Sequence, residues 1–208
     1  MKNVVIALLT PVVWAPPGIR PDYWRRALAE DVVDLLCTLA GADAAIATAR
    51  CDRALADEVA WPGMTVYDLG DTAMPRAALR AARADGYKIG AVLAADAPDL
   101  PGLVIGKLLQ PLTSRIVAVA PAVGNGLLGV ASRLPVPDWL PEVDLEAMRP
   151  EQVRADAPRP AMVAITPGWH RQRGPGDLGR LNPALEGWET TRVLLSSGEP
   201  GPSAGSAP

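Results

Sequence analysis

Residues 89–101 read IGAVLAADAPDLP, an apolar run that leads directly into two aspartates and two prolines. A continuous apolar run of this length, without alternation, predicts a strand that is covered on both faces. Residues 3–9 (NVVIALL) and 116–120 (IVAVA) show the same pattern. Apolar residues at helical spacing in 24–39 and an Ala/Arg-rich segment at 75–84 separate these strands. The alternation of strands and helices predicts an α/β fold with a doubly wound, mostly parallel sheet.

After Pro121 the pattern becomes less regular, and the predicted elements are shorter. We expect short strands at 127–131 and 162–165, and a short helix at 145–153. Two further short helices are expected at about 175–181 and 186–195.

Length and composition limit the possible classes of protein. The 208 residues predict a single domain over 1–196, followed by a disordered tail at 197–208 that lacks any apolar pattern. A net charge of −3 argues against a nucleic-acid partner. No apolar segment has the length of a membrane span, and the first strand is not a signal peptide. We therefore expect a cytoplasmic protein.

The candidate functional residues follow from the predicted topology. In an open parallel sheet, ligands bind beyond the carboxyl ends of the strands. Asp96 leaves such a strand, where a carboxylate can hold a divalent cation through its oxygens. Asp99 follows it, and Gly124 and Gly126 follow the next strand, where a backbone can approach a phosphate or sugar. Turn and capping chemistry explains the same residues, and on spacing alone it is the commoner explanation.

Residues 68–101 (DLGDTAMPRAALRAARADGYKIGAVLAADAPDLP) resemble the central block of the small bacterial glycosyltransferase-A-like family. Its members are relatives of the nucleotide-diphosphosugar transferases and are often described as arsenosugar-biosynthesis glycosyltransferases. Residues 121–130 and 174–181 are similar to later blocks of that family. Cofactor guanylyltransferases share the acidic segment more distantly. The resemblance implies a Rossmann-like glycosyltransferase-A fold, a nucleotide-sugar donor, an unknown acceptor and a site at Asp96, with Mg²⁺ or Mn²⁺ as its metal.

Two departures from the family pattern change the electrostatics of the implied site. The family's first loop carries a Lys-Thr-Arg-Leu signature that meets nucleotide phosphates, whereas residues 18–22 are GIRPD and only Arg20 carries over. An Asp-Val-Asp segment of the family is replaced by Arg171, Gln172 and Arg173. A guanidinium cannot coordinate Mg²⁺ or Mn²⁺. We therefore expect no two-ligand metal site, and Asp96 stays the one candidate ligand.

Two functional accounts remain open from the sequence. In the first, Arg171 and Arg173 pair with a diphosphate leaving group, and sugar transfer proceeds without a metal. His170 is then the candidate general base, and Asp96→Ala should abolish turnover while sparing the melting temperature. Nucleotidyl transfer is an alternative to sugar transfer. In the second account the site has decayed, and the protein binds a nucleotide or a protein partner without catalysis.

Overall fold

The computed structural model describes residues 2–197, in which a seven-stranded sheet carries helices on both faces. The strands are β1 (Asn3–Leu8), β2 (Asp43–Thr48), β3 (Thr65–Asp68), β4 (Ile89–Ala94), β5 (Val117–Pro121), β6 (Leu127–Arg133) and β7 (Val163–Ile165). The α-helices are α1 (Pro21–Cys37), α2 (Arg53–Val59), α3 (Pro75–Ala84), α4 (Gly102–Leu109), α5 (Pro150–Ala155), α6 (Pro175–Leu178) and α7 (Glu189–Ser197). None of the helices in this part of the chain is long and apolar enough to cross a membrane.

The strand order is β3-β2-β1-β4-β6-β5-β7. β1 pairs in parallel with both β2 and β4, β2 with β3, and β5 with β7. The predicted doubly wound, mostly parallel α/β sheet is therefore confirmed. The chain moves outward from β1 to β3 and then returns to place β4 on the other side of β1. Such a reversal opens a crevice beyond the carboxyl ends of the two central strands.

β6 runs antiparallel to both of its neighbours, β4 and β5. The strand predicted at 127–131 is thus present, and it extends to Arg133. The connection from β5 is too short for a parallel crossover, so the chain must turn back on itself. At Gly129 a Cβ atom would lie 2.5 Å from the carbonyl oxygen of Val92, so only glycine allows this close approach of β6 to β4.

The core has two layers, one on each face of the sheet. Val5 and Ala7 of β1 pack toward α1 and α4, whereas Val4 and Ile6 pack toward α3. Consecutive residues of a strand point to opposite faces, so a strand covered on both sides must be apolar throughout. This explains why the central strands appear in the sequence as unbroken apolar runs.

The late segment differs from the sequence prediction. The helix predicted at 145–153 is wrong over its first half, because α5 begins at Pro150. Proline disfavours helix in the residue before it and is best placed in the first helical turn. Residues 134–149 therefore form a long connection. The helices predicted at 175–181 and 186–195 are present as α6 and α7, while residues 198–208 of the predicted tail lie outside the described residues.

α7 is fixed to α1 by a buried carboxylate. Asp31 of α1 is 2% exposed and accepts hydrogen bonds from the backbone N–H groups of Thr190 (3.0 Å) and Thr191 (2.8 Å). These N–H groups belong to the first turn of α7 and have no partner within that helix. Burial raises the pKa of Asp31 to about 6, although the hydrogen bonds from Thr191 and Thr190 act in the opposite direction.

Asp31→Asn should change how stability depends on pH. Since burial raises the folded-state pKa of Asp31 from 3.8 to about 6, the folded protein takes up this proton before the unfolded chain does. The wild type therefore gains stability at Asp31 as the pH falls from about 6 toward 4, and the variant does not. We expect urea unfolding to show that the free energy of unfolding of the wild type exceeds that of the variant by a growing margin as the pH is lowered from 7 to 5. Glu30→Gln, on the same helix, is the matched control, and a pH-independent difference for Asp31→Asn would contradict the assignment.

Candidate functional site

Segments that follow different strands meet at the carboxyl edge of the sheet. The backbone N–H of Gln172, beyond β7, donates to the carbonyl oxygen of Asp96, beyond β4, at 2.7 Å. The N–H of Val123, beyond β5, donates to the carbonyl oxygen of Trp169 at 3.0 Å. The segments that follow β4, β5 and β7 therefore meet at this edge.

Asp96 and Arg171 form a two-point ion pair at the centre of this edge. Arg171 Nε donates to Asp96 Oδ1 at 2.6 Å, and Nη2 donates to Oδ2 at 2.8 Å. The Arg171 side chain is 0% exposed and that of Asp96 is 1% exposed. Parallel N–H···O bonds of this kind are the strongest geometry available to the two groups. Both oxygens of the predicted metal ligand are therefore engaged by an internal cation.

The remaining donors of Arg171 are engaged as well. Nη1 donates to the carbonyl oxygens of Leu127 (3.2 Å) and Leu145 (3.1 Å). Nη2 makes a close ion pair with Glu146 Oε1 and lies 3.5 Å from the hydroxyl of Thr10. A guanidinium has five N–H groups, and each finds an acceptor here. A diphosphate can therefore reach Arg171 only if one of these contacts is broken.

The charge of Arg171 decides whether a divalent cation fits at Asp96. Burial by itself would lower the pKa of Arg171, but the negative charges of Asp96 and Glu146 raise it, so the guanidinium stays charged. Within residues 2–197, no group of three or more His, Cys, Asp or Glu side chains could hold a metal ion. The donor set at Asp96 therefore does not fit Mg²⁺ or Mn²⁺ while Arg171 is in place.

Arg173 lies at the rim of the same cluster and keeps 25% of its side chain exposed. Its Nη2 donates to the carbonyl oxygen of Asn125 at 2.6 Å, and its Nη1 lies 3.6 Å from Glu146 Oε2. Its backbone N–H donates to Asp177 Oδ2 at 3.1 Å. This hydrogen bond fixes the position of Arg173 ahead of α6. The structure thus brings together the two predicted arginines, with one carboxylate between them.

Gly124 and Gly126 form the turn from β5 to β6 and have positive φ angles of 94° and 77°. A Cβ at Gly126 would lie 2.4 Å from the carbonyl oxygen of Leu145, so a side chain there would push the 134–149 connection away. At Gly124 nothing lies within 4 Å of such an atom. The two glycines therefore shape the turn that carries Asn125, and their contact with a phosphate or sugar stays a prediction.

Asp99 and His170 form a second pair of interacting side chains next to Asp96 and Arg171. His170 Nε2 lies 3.0 Å from Asp99 Oδ2, and the side chains are 10% and 0% exposed, respectively. Asp99 also accepts from the indole N–H of Trp169 (3.1 Å) and the backbone N–H of Asn182 (3.0 Å). Burial alone would raise the pKa of Asp99, but these hydrogen bonds lower it overall. Asp99 thus orients His170 and is not free to contact a ligand.

Arg20 is the residue that precedes the first residue of α1. Its guanidinium pairs with the carboxylate of Asp22, at 3.1 Å and 2.6 Å, and lies over the ring of Tyr23. The side chain is 63% exposed. It lines a cavity of about 370 Å³ together with Leu194 and Ser197 of α7. A phosphate contact by Arg20 stays a prediction.

Comparisons with known proteins give matches at the level of structure. No family model and no curated protein matches the chain. A Desulfovibrio desulfuricans protein, provisionally assigned as a nucleotide-diphospho-sugar transferase, superposes with a TM-score of 0.61 at 16% identity, covering 95% of this chain and 98% of that chain. 4-Diphosphocytidyl-2C-methyl-D-erythritol synthase from Anaerococcus prevotii gives 0.60 at 8% identity, with 93% and 96% covered. CMP-2-keto-3-deoxy-manno-octonic acid synthetase, solved with CTP, gives 0.53 at 14% identity, with 95% and 99% covered.

The chain has the nucleotide-diphospho-sugar transferase fold. These matches span nearly the whole of both chains, so the likeness covers the fold as a whole. The comparisons support the wider group of folds to which the glycosyltransferase-A-like family belongs. They do not single out its arsenosugar-type members.

Glu146 and Thr10 are two side chains at this site that the sequence reasoning missed. Both reach Arg171 from segments far away in the sequence, so no local spacing reports the contact. One signal was present for Glu146. A buried arginine needs carboxylates, and residues 142–146 (EVDLE) supply an acidic segment in the connection before α5.

Arg171→Met should strongly destabilise this transferase fold. The change leaves Asp96 buried and unpaired, and breaking a buried pair in this way costs about 3–5 kcal/mol of unfolding free energy. Asp96→Ala should also lower the melting temperature, since it leaves Arg171 without its main partner. This corrects the sequence-based expectation of an unchanged melting temperature. Urea unfolding measures the first effect, and thermal unfolding measures the second.

Two further variants test that assignment. Arg53→Met removes a pair with Asp57 in which the arginine side chain is 46% exposed, and it should cost no more than about 1 kcal/mol. Replacing Asp96 and Arg171 together by Leu and Met should cost less than the sum of the single losses. Equal losses for Arg171→Met and Arg53→Met would show that the buried pair does not stabilise the fold.

Proposed function

We propose that the protein binds a nucleotide or a nucleotide sugar at the carboxyl edge of its sheet without a divalent cation. The observation that carries the proposal is the engagement of both Asp96 oxygens by Arg171. A carboxylate in this position would otherwise be free to hold a metal beside the ligand's phosphates. Here a fixed side-chain cation stands at that carboxylate instead.

The fold and the position of the site support a nucleotide ligand. The crevice between β1 and β4 lies at the point where the strand order reverses, and open α/β sheets bind ligands there. The solved proteins with this fold include one assigned to nucleotide-diphospho-sugar transfer and a synthetase solved with CTP. The phosphates of such ligands require cationic groups, and Arg20 and Arg173 retain exposed surface.

Binding should be independent of Mn²⁺. We expect calorimetric titration with nucleoside diphosphates and nucleotide sugars to give the same affinity in EDTA and in Mn²⁺. Arg173→Gln should weaken binding about tenfold, because it removes a charge next to the phosphates. Arg115→Gln is the matched control, since Arg115 precedes β5 at the opposite edge of the sheet. Binding that requires Mn²⁺ would overturn the metal-free site and return Asp96 to the role of metal ligand.

A second candidate function, sugar transfer from the bound nucleotide, is favoured by the Asp99–His170 pair. When neutral His170 donates from Nε2 to Asp99, its acceptor lone pair is on Nδ1. A base held in this way can take the proton of an acceptor hydroxyl. The His170 side chain is 10% exposed, whereas that of Arg171 is 0% exposed.

His170→Gln should therefore lower the rate of sugar transfer without changing nucleotide affinity. Glutamine can still donate to Asp99 but cannot act as a base, so kcat should fall by about 10²–10⁴-fold. Product analysis separates the alternatives. Release of a nucleoside diphosphate from a nucleotide sugar indicates sugar transfer, and release of pyrophosphate from a nucleoside triphosphate indicates nucleotidyl transfer. Nucleotide binding with neither product would identify a noncatalytic binding protein and remove His170 from any catalytic role.

A further inference from the structure

Glu146 is placed where an anionic ligand would meet the two arginines of the cluster. Its Oε1 makes the close contact with Arg171 Nη2, and its Oε2 lies 3.6 Å from Arg173 Nη1. The Glu146 side chain is 45% exposed, whereas that of Arg171 is 0% exposed. The carboxylate therefore covers the buried guanidinium and faces solvent on its other side.

We propose that Arg171 and Arg173 form a phosphate-binding site that the carboxylate of Glu146 occupies, and that a phosphate or diphosphate group binds there by displacing it. The inference rests on the proposed nucleotide-binding function and adds the residue that regulates access to the site. Carboxylate and phosphate both present pairs of oxygens to guanidinium groups. A phosphate can therefore accept from the same two donors.

The surroundings of Glu146 allow this exchange without a change of fold. The backbone N–H of Glu146 donates to Asp144 Oδ1 at 2.8 Å, and its carbonyl oxygen accepts from Asn125 Nδ2 at 3.3 Å. Both contacts are made by backbone atoms of Glu146, so neither restrains its side chain. Rotation of the Glu146 side chain is thus sufficient to uncover Nη2 of Arg171, while Asp96 keeps that arginine in place.

The balance of charge favours replacement of the Glu146 carboxylate by an anion with more than one negative charge. Among the four side chains of the cluster, the carboxylates of Asp96 and Glu146 compensate the guanidinium groups of Arg171 and Arg173. When the Glu146 carboxylate moves away, one positive charge is uncompensated beside the crevice. An anion with two or more negative charges is then bound more strongly than a single carboxylate, and neutral ligands gain nothing.

Glu146→Gln tests the inference directly. We expect calorimetric titration with inorganic pyrophosphate in EDTA to show about tenfold tighter binding for the variant, because the competing negative charge is removed. Glu142→Gln is the matched control. It makes the same change of charge in the same connection, but Glu142 pairs with Arg76. Its affinity for pyrophosphate should stay within about twofold of the wild type.

Two more variants keep the test decisive if Glu146→Gln lowers stability. Glu146→Asp keeps the charge but is too short to span both arginines, so its affinity should lie between those of the wild type and Glu146→Gln. Arg173→Gln should lose pyrophosphate binding in either background. Equal affinities for Glu146→Gln and Glu142→Gln would overturn the inference.

Inorganic phosphate and nucleoside diphosphates, titrated in the same way, identify the source of the phosphate group and separate this inference from the proposed function. Tighter binding of pyrophosphate by Glu146→Gln, with no nucleotide bound by any variant, would support the anion site and overturn the nucleotide proposal. Nucleotides bound equally by wild type and Glu146→Gln, with pyrophosphate also unchanged, would overturn the role of Glu146 and leave nucleotide binding standing.

Discussion

The buried ion pair between Asp96 and Arg171 constrains the whole carboxyl edge of the sheet. Transfer of a charged group out of water is so costly that every polar atom of the pair must find a partner. Arg171 meets this requirement by reaching Thr10 beyond β1, Asp96 beyond β4, Leu127 at the start of β6, and the connection before α5. A single side chain thus holds together segments that the sheet topology only brings into proximity.

A guanidinium at this position differs from a metal ion because it cannot dissociate from the protein. A bound cation can enter and leave with its ligand, and its affinity depends on the concentration of free metal. Arg171 is covalently part of the chain, so its charge is always present and must be compensated at all times. Asp96 and Glu146 provide that compensation. Asp96 pairs with Arg171 in the interior, whereas Glu146 contacts it from the solvent side.

The sequence predicts the sheet well because the relevant signal is local. Runs such as residues 4–9 are apolar throughout, since both faces of each central strand are covered. The direction of β6 and the start of α5 depend on a short turn and on one proline, which the periodicity of apolar residues does not report. Asp96 is predictable as the centre of the site because it ends a buried strand.

The partners of that aspartate are not predictable in the same way. The sequence places Arg171 beside Asp96 through a family pattern, yet it assigns the guanidinium to a ligand, and in the structure the same group is used internally. Burial decides between these roles, and burial is a property of the folded chain. The contact with Glu146 lies 25 residues away in sequence and has no spacing rule.

Two pairs that each contain an aspartate lie next to each other at this edge, and the exposed fractions of their side chains differ. Asp96 and Asp99 leave the same strand, and they pair with the adjacent residues Arg171 and His170. In the first pair both side chains are buried, and their two-point contact fixes the geometry of this edge. In the second pair the histidine side chain is 10% exposed. The rigid first pair holds the backbone of residues 170–172 in register with β4 through the 2.7 Å bond from Gln172 to Asp96. It therefore also sets where the imidazole lies.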